Sequence, residues 1–134
     1  MVPVFAHVGF GLPGAMAARL AYPDRTVILL TGDGAFTFTI AELETAARQG
    51  LNFVVIVADD SAWGITLSEH ERVYGGGMAS ELGPVSFDKV AEGFGAFGVR
   101  VSTPEEIQPA NLKGLSETKP TVIHVPIVRS NPAD

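Results

Sequence analysis

The chain has 134 residues, the size of one domain, and is 46% hydrophobic and 18% charged, which excludes a disordered chain. Nine basic residues against 15 acidic ones leave a net charge of −6 with no basic cluster, which argues against nucleic acid as a partner. Cysteine is absent, so disulfide frameworks and thiolate chemistry are excluded; no secretory signal or apolar run of transmembrane length is found. A cytoplasmic protein that does not engage a membrane is expected.

The chain opens on Met1-Val2-Pro3-Val4 and reaches what reads as a site-lining segment by residue 6. A parallel α/β domain normally has a strand and a helix before such a segment. The chain therefore reads as the C-terminal piece of a longer protein or one half of a two-chain enzyme. Leu12 to Tyr22 is predicted as a largely buried helix, with Pro13 in its first turn. Tyr22-Pro23-Asp24 is a turn, and 26–31 is a strand apolar on both faces, as in a covered parallel sheet. Thr39-Ile40-Ala41-Glu42 has capping-box spacing and predicts a helix over about 40–49 that stops at Gly50. Residues 52–58 are a second buried strand, which completes a βαβ unit.

A helix is predicted from Trp63-Gly64 to about His70, and Tyr74 to Gly77 reads as a flexible loop, either a lid or simply disordered. Ser86 is expected to cap a helix that buries Phe87, Val90, Ala91 and Phe94, followed by a short strand at 97–101. Thr103-Pro104-Glu105-Glu106 is a strong helix start, and Pro109 is expected to bend or shorten that helix. Residues 121–127 make the last strand. The domain is placed at 1–128, with a loose polar tail over 129–134. The fold class is α/β, a three-layer parallel sheet with helices on both faces, lacking in this chain the first strand and helix of a complete domain.

Two strand ends carry the chemistry. Val27 to Leu30 runs into Thr31-Gly32-Asp33-Gly34, and Phe53 to Val57 runs into Ala58-Asp59-Asp60-Ser61-Ala62-Trp63-Gly64. Parallel strands joined by a helix can bring Asp33 and Asp60 together at the carboxyl edge of the sheet. Two hard oxygen ligands there, with glycines admitting close backbone approach, suit Mg²⁺ and the phosphates it carries. Asp33 as a plain turn residue, or Asp59-Asp60 as a mere helix cap, are the bland alternatives. A phosphoacceptor receiver domain needs another aspartate at a later strand end, but the strand at 97–101 ends in Ser102-Thr103. His7 could touch a substrate but is more simply structural. His124 reads as a satisfied core residue, His70 as solvent-exposed, and Trp63 as packing at a helix start.

Gly32-Asp33-Gly34, then 24 residues, then Asp59-Asp60, resembles the thiamin-diphosphate motif, in which the second pair is two asparagines. His7-Val8-Gly9-Phe10-Gly11-Leu12-Pro13-Gly14-Ala15 and Glu42-Leu43-Glu44-Thr45-Ala46-Ala47-Arg48 resemble two further segments of the same family. The similarity covers nearly the whole chain. It is to the diphosphate-binding (C-terminal) domain of thiamin-diphosphate-dependent enzymes of the acetolactate synthase, pyruvate oxidase and 2-oxo acid decarboxylase group.

The resemblance implies thiamin diphosphate and Mg²⁺ as cofactors. Asp33, Asp60 and the Ala62 carbonyl are the implied metal ligands. Gly32 belongs to the motif, and backbone N–H groups at Gly34, Ala35, Gly64 and Ile65 would hold the diphosphate. Val8 would lie under the cofactor, and the Ala6 carbonyl would accept from its 4′-amino group. No residue of the chain matches the family's activating glutamate, so no catalytic residue is assigned here. That residue is expected from a pyrimidine-binding domain or subunit in a homo- or hetero-oligomer acting on a 2-oxo acid. Thr66 stands where some pyruvate decarboxylases carry a glutamate, which argues against that branch. The doubled aspartate departs from the pattern and adds charge beside the diphosphate. A non-catalytic Mg²⁺- and diphosphate-binding subunit is therefore one alternative. An unrelated nucleotide-binding module is the other, although neither GxGxxG nor a P-loop is present.

Overall fold

The computed structural model describes residues 7–129. Four strands, β1 (Ile28–Gly32), β2 (Val54–Asp59), β3 (Phe97–Arg100) and β4 (Thr121–Pro126), form one parallel sheet in the order β1-β2-β4-β3. The chain thus leaves β2 for the far edge and returns to fill the centre with β4. Register pairs Gly32 with Ala58 and Asp59 with Pro126, so both acidic motifs emerge at the same carboxyl edge.

The described residues form six helices about the sheet: α1 (Gly11–Ala21), α2 (Asp33–Thr37), α3 (Glu42–Arg48), α4 (Gly64–Tyr74), α5 (Phe87–Gly93) and α6 (Ile107–Ser116). One face carries the main core. Val55, Val57 and Val122 meet Leu12 and Ala15 of α1, Phe36 of α2, Leu43 and Ala46 of α3, and Phe87 and Ala91 of α5. The opposite face is smaller, with Val54 and Ile123 under Ala110 of α6. This is the expected three-layer α/β arrangement, and strand alternation explains the division. Val55 and Val57 point one way, while Val54 and Ile56 point the other.

Several local expectations are corrected. The α1 helix is not largely buried, because Leu20 is 67% exposed. Strand β1 is not covered on both faces. It is an edge strand, and α6 does not reach over it, leaving Ile28 at 46% and Leu30 at 72% exposed. Thr39 does not cap α3; its hydroxyl donates to the Gly9 carbonyl at 3.0 Å, and the chain enters the helix through a tight turn instead. The helix does stop at Gly50, whose φ of +64° suits glycine. The α2 helix, directly after the glycine-aspartate motif, was not expected.

The α4 helix runs past His70 to Tyr74 and ends on Gly75 at φ +75°. The following glycines are not simply loose, since Gly77 lies against the Leu67 side chain. His70 is half-buried rather than exposed, with Nδ1 3.2 Å from Ser80 Oγ. Ser86 precedes α5 but makes no side-chain cap. Before α6, a 3-10 turn spans Pro104–Glu106, and the Glu106 carboxylate accepts the Ser102 and Thr103 N–H groups as the capping pattern requires. Pro109 therefore falls in the first turn of α6, where its missing N–H costs no helical hydrogen bond, so the expected bend is not needed. Arg129 is not a free tail residue, for its Nη2 donates to the Asp60 carbonyl at 3.2 Å. Among the described residues no helix is long and apolar enough to cross a membrane.

Candidate functional site

A cleft of about 550 Å³ opens at the carboxyl edge of the sheet, between the ends of β1 and β2. Gly32, Asp33, Gly34 and Ala35 line one side. Asp60, Ala62, Gly64 and Ile65 line the other, and Val8 also lines the cleft. Nine of the ten residues singled out in the sequence thus share one cleft; Ala6 lies outside the described residues. Trp63, Thr66, Ala58 and Ile127 also line it, although the sequence did not assign them to the cofactor.

Asp33 opens α2 and is 4% exposed. Its Oδ1 accepts the Gly34 N–H at 2.8 Å, and its Oδ2 accepts the Ala62 N–H at 3.2 Å. The carboxylate therefore ties the two strand ends together. Burial pushes its pKa up, the Gly34 N–H opposes that, and the neighbouring Asp59 and Asp60 carboxylates push it up further. A group held against its preference for neutrality gains from an adjacent cation.

The doubled aspartate splits. Asp59 stands on the same face of β2 as Val57, which pairs with His124 on β4. Its Oδ2 meets His124 Nε2 at 2.7 Å, while its Oδ1 accepts the Ser61 N–H at 2.9 Å. Burial alone would raise the Asp59 pKa, but hydrogen bonds from His124 and the Ser61 N–H outweigh it and hold the group below the usual carboxylate range. Asp60 faces the cleft instead, and no described side chain or N–H donates to its carboxylate.

The loop after β2 is fixed at several points. Ser61 adopts φ +55°, an uncommon conformation for a residue with a side chain. Trp63 N–H donates to Ser80 O at 2.8 Å, and Leu82 N–H donates to Ser61 O at 2.8 Å, so residues 80–82 strap the loop in place. The strap leaves the Ala62 carbonyl without a donor among the described residues. Gly64, Ile65 and Thr66 of the first turn of α4, whose N–H groups have no helical acceptors, line the cleft.

Two glycines shape the hollow by lacking a side chain. A Cβ on Gly34 would come within 2.8 Å of the Trp63 ring, and a Cβ on Gly64 would come within 2.8 Å of Asp60 Oδ2. The missing side chains thus let the Trp63 ring pack on Gly34 and the Asp60 carboxylate lie against Gly64. The Gly34 N–H donates to the adjacent Asp33 carboxylate in this structure. Among the described residues no group of three His, Cys, Asp or Glu could hold a metal. The donor set is instead two carboxylates and a carbonyl, all oxygen, which suits Mg²⁺ with ligand phosphates and water completing its shell. These residues fit a Mg²⁺-diphosphate group.

Residues 2–125 match the sequence model of the family described as thiamine pyrophosphate enzyme, C-terminal TPP binding domain. A probable acetolactate synthase of Mycobacterium bovis is 36% identical over 122 residues, covering 90% of this chain and 22% of that protein. An acetolactate synthase of Bacillus subtilis is 35% identical over 120 residues, again 90% of this chain and 21% of the relative. Among solved structures, a thiamine diphosphate-dependent 4-hydroxybenzoylformate decarboxylase of Rhodococcus jostii superposes with a TM-score of 0.86 at 33% identity. That match covers 92% of this chain and 24% of the other. The chain thus spans about a fifth to a quarter of the length of the relatives it matches.

Proposed function

The chain belongs to the family of C-terminal thiamine pyrophosphate-binding domains of thiamine pyrophosphate enzymes, and from that premise we propose that its cleft anchors the diphosphate end of the cofactor within an enzyme acting on 2-oxo acids. Asp33, Asp60 and the Ala62 carbonyl hold Mg²⁺. The first-turn N–H groups of α4, at Gly64 and Ile65, and the N–H of Ala35 hold diphosphate oxygens. Val8, which lines the cleft, lies under the cofactor. The observation that carries this reading is the convergence of Asp33, Asp60 and the unpartnered Ala62 carbonyl in one cleft beside a helix N-terminus.

The cofactor, when bound, supplies the electron sink for decarboxylation or carbon–carbon bond formation, and this chain supplies position and charge. The activating carboxyl group comes from a pyrimidine-binding domain or subunit. The bare sheet face at Ile28 and Leu30 supports such a partner, because exposed apolar side chains on an unpaired edge strand are a poor surface to leave in water.

The test mixes the chain with a pyrimidine-binding partner, thiamin diphosphate, Mg²⁺ and a 2-oxo acid, and follows CO₂ release. Binding is read separately from the fluorescence of Trp63, the sole tryptophan, which lines the cleft. Cofactor binding without turnover with any partner would leave a non-catalytic subunit. No Mg²⁺-dependent binding would sink the site assignment itself.

A further inference from the structure

We propose that His124 is the positioning residue of the metal loop: it draws the Asp59 carboxylate away from the cleft, so that the acidic pair presents Asp60 alone to the metal. His124 is fully buried at the centre of the sheet and makes no contact with the cleft. Its Nε2 lies 2.7 Å from Asp59 Oδ2. Its Nδ1 lies 3.3 Å from Arg100 Nη1 and 3.4 Å from Asp88 Oδ1, and the ring stands edge-on to Phe87 at 5.4 Å. The imidazole is thus held on both nitrogens and across one ring edge, and it cannot turn without breaking these contacts. The close approach of α5 to β3 supports this, since at Gly98 a Cβ would fall 2.0 Å from the Asp88 carbonyl.

The consequence passes along one side chain. With Oδ2 fixed by His124, the Asp59 carboxylate offers Oδ1 to the Ser61 N–H and hydroxyl at 2.9 and 3.2 Å. Those bonds hold Ser61 at its positive φ. On either side of that residue Asp60 and Ala62 line the cleft, whereas Asp59 does not. Without the histidine, Asp59 would be a half-buried carboxylate beside Asp33 with no cationic or N–H partner on Oδ2. Repulsion between the two would then favour a different turn. Groups that orient a metal's ligands from behind typically govern affinity by about 10- to 100-fold.

The proposal rests on the cofactor reading above, so the test in the full chain carries one arm that needs no ligand. Amide hydrogen exchange at Ser61 is measured in the unsubstituted chain, His124→Leu, Asp59→Asn and the double variant. His124→Leu is expected to speed Ser61 exchange about tenfold, the loss of roughly one hydrogen bond's protection. Asp59→Asn/His124→Leu is expected to return it to within about threefold, because an uncharged amide side chain at position 59 keeps an Oδ1 acceptor and no longer repels Asp33.

The second arm reads Mg²⁺-dependent thiamin diphosphate binding through Trp63 fluorescence, with an expected loss of about tenfold or more in His124→Leu and recovery in the double variant. His124→Gln, which keeps an N–H donor, is expected to hold both readouts within about threefold, and it guards against a fold that simply fails. Unchanged Ser61 exchange in His124→Leu overturns the proposal. Equal damage from His124→Leu with and without Asp59→Asn also overturns it, because it would mark His124 as packing only. An unsubstituted chain that binds no cofactor refutes the cofactor reading alone, and the exchange arm still decides the positioning role.

Discussion

Gly64→Ala separates the needs of the site from those of the fold. Gly64 is the first residue of α4, and its backbone φ does not require glycine. Alanine there should therefore stabilise the free chain by about 0.4–1 kcal/mol, by restricting the unfolded state. The new Cβ, however, would stand 2.8 Å from Asp60 Oδ2, against an ordinary contact of 3.4 Å or more. The carboxylate must retreat by about 0.6 Å. Mg²⁺ holds its ligands at about 2.0–2.1 Å in a near-ideal octahedron and tolerates such a displacement poorly. A loss of about 1.4–2.8 kcal/mol in Mg²⁺-dependent cofactor binding follows, or about 10- to 100-fold. Thermal melting of the free chain and a Trp63 fluorescence titration with thiamin diphosphate at fixed Mg²⁺ measure the two terms. If affinity is unchanged while stability rises, Asp60 is not a ligand. If stability falls, the cradle at α4 has been misread.

The other expectations are direct. Asp33→Asn should weaken Mg²⁺-dependent cofactor binding by about 100-fold or more, since it removes a ligand charge and sets an amide against the Ala62 N–H; calorimetry showing equal affinity would count against the assignment. The raised Asp33 pKa makes its ionised form a cost to the folded chain. The stability of its neutral form is fully present below about pH 3.8 and lost as pH rises through the folded value, so the cofactor-induced rise in Tm should be larger at about pH 7 than at about pH 4. Equal rises at both would refute that sign. Gly98→Ala should destabilise the chain by about 3 kcal/mol in urea, because the Cβ meets the Asp88 backbone carbonyl, which has no rotamer to yield. Leu30→Asp should leave the melting of the isolated chain nearly unchanged but abolish association with a pyrimidine-binding partner by analytical ultracentrifugation.

Much of the fold was legible because local signals agreed with one another. The two apolar runs at 27–30 and 53–57 became β1 and β2, and the capping pattern at Thr103 to Glu106 opened the turn into α6. Failures fell where a side chain had a distant partner. Thr39 preferred the Gly9 carbonyl 30 residues away over its own helix, and Arg129 found the Asp60 carbonyl 69 residues back. The exposed face of β1 was misjudged for a related reason. An apolar strand looks the same in sequence whether or not a helix lies over it.

By itself the sequence determined that two carboxylate-bearing strand ends would meet at one sheet edge, because a parallel βαβ unit returns every strand in the same direction. The glycines around Asp33 and Asp60 further marked that edge as a place where backbone could approach a ligand. Only the tertiary structure decided what the two adjacent aspartates do. Asp59 and Asp60 are chemically identical and one residue apart, so no local rule distinguishes them. The register of β4 against β2 sets His124 beside Val57 and within 2.7 Å of the Asp59 carboxylate, leaving Asp60 to the cleft. Pairing between strands whose partner residues lie 67 positions apart, as Val54 and Thr121 do, is set by how the sheet packs as a whole, and that information is not local to either segment.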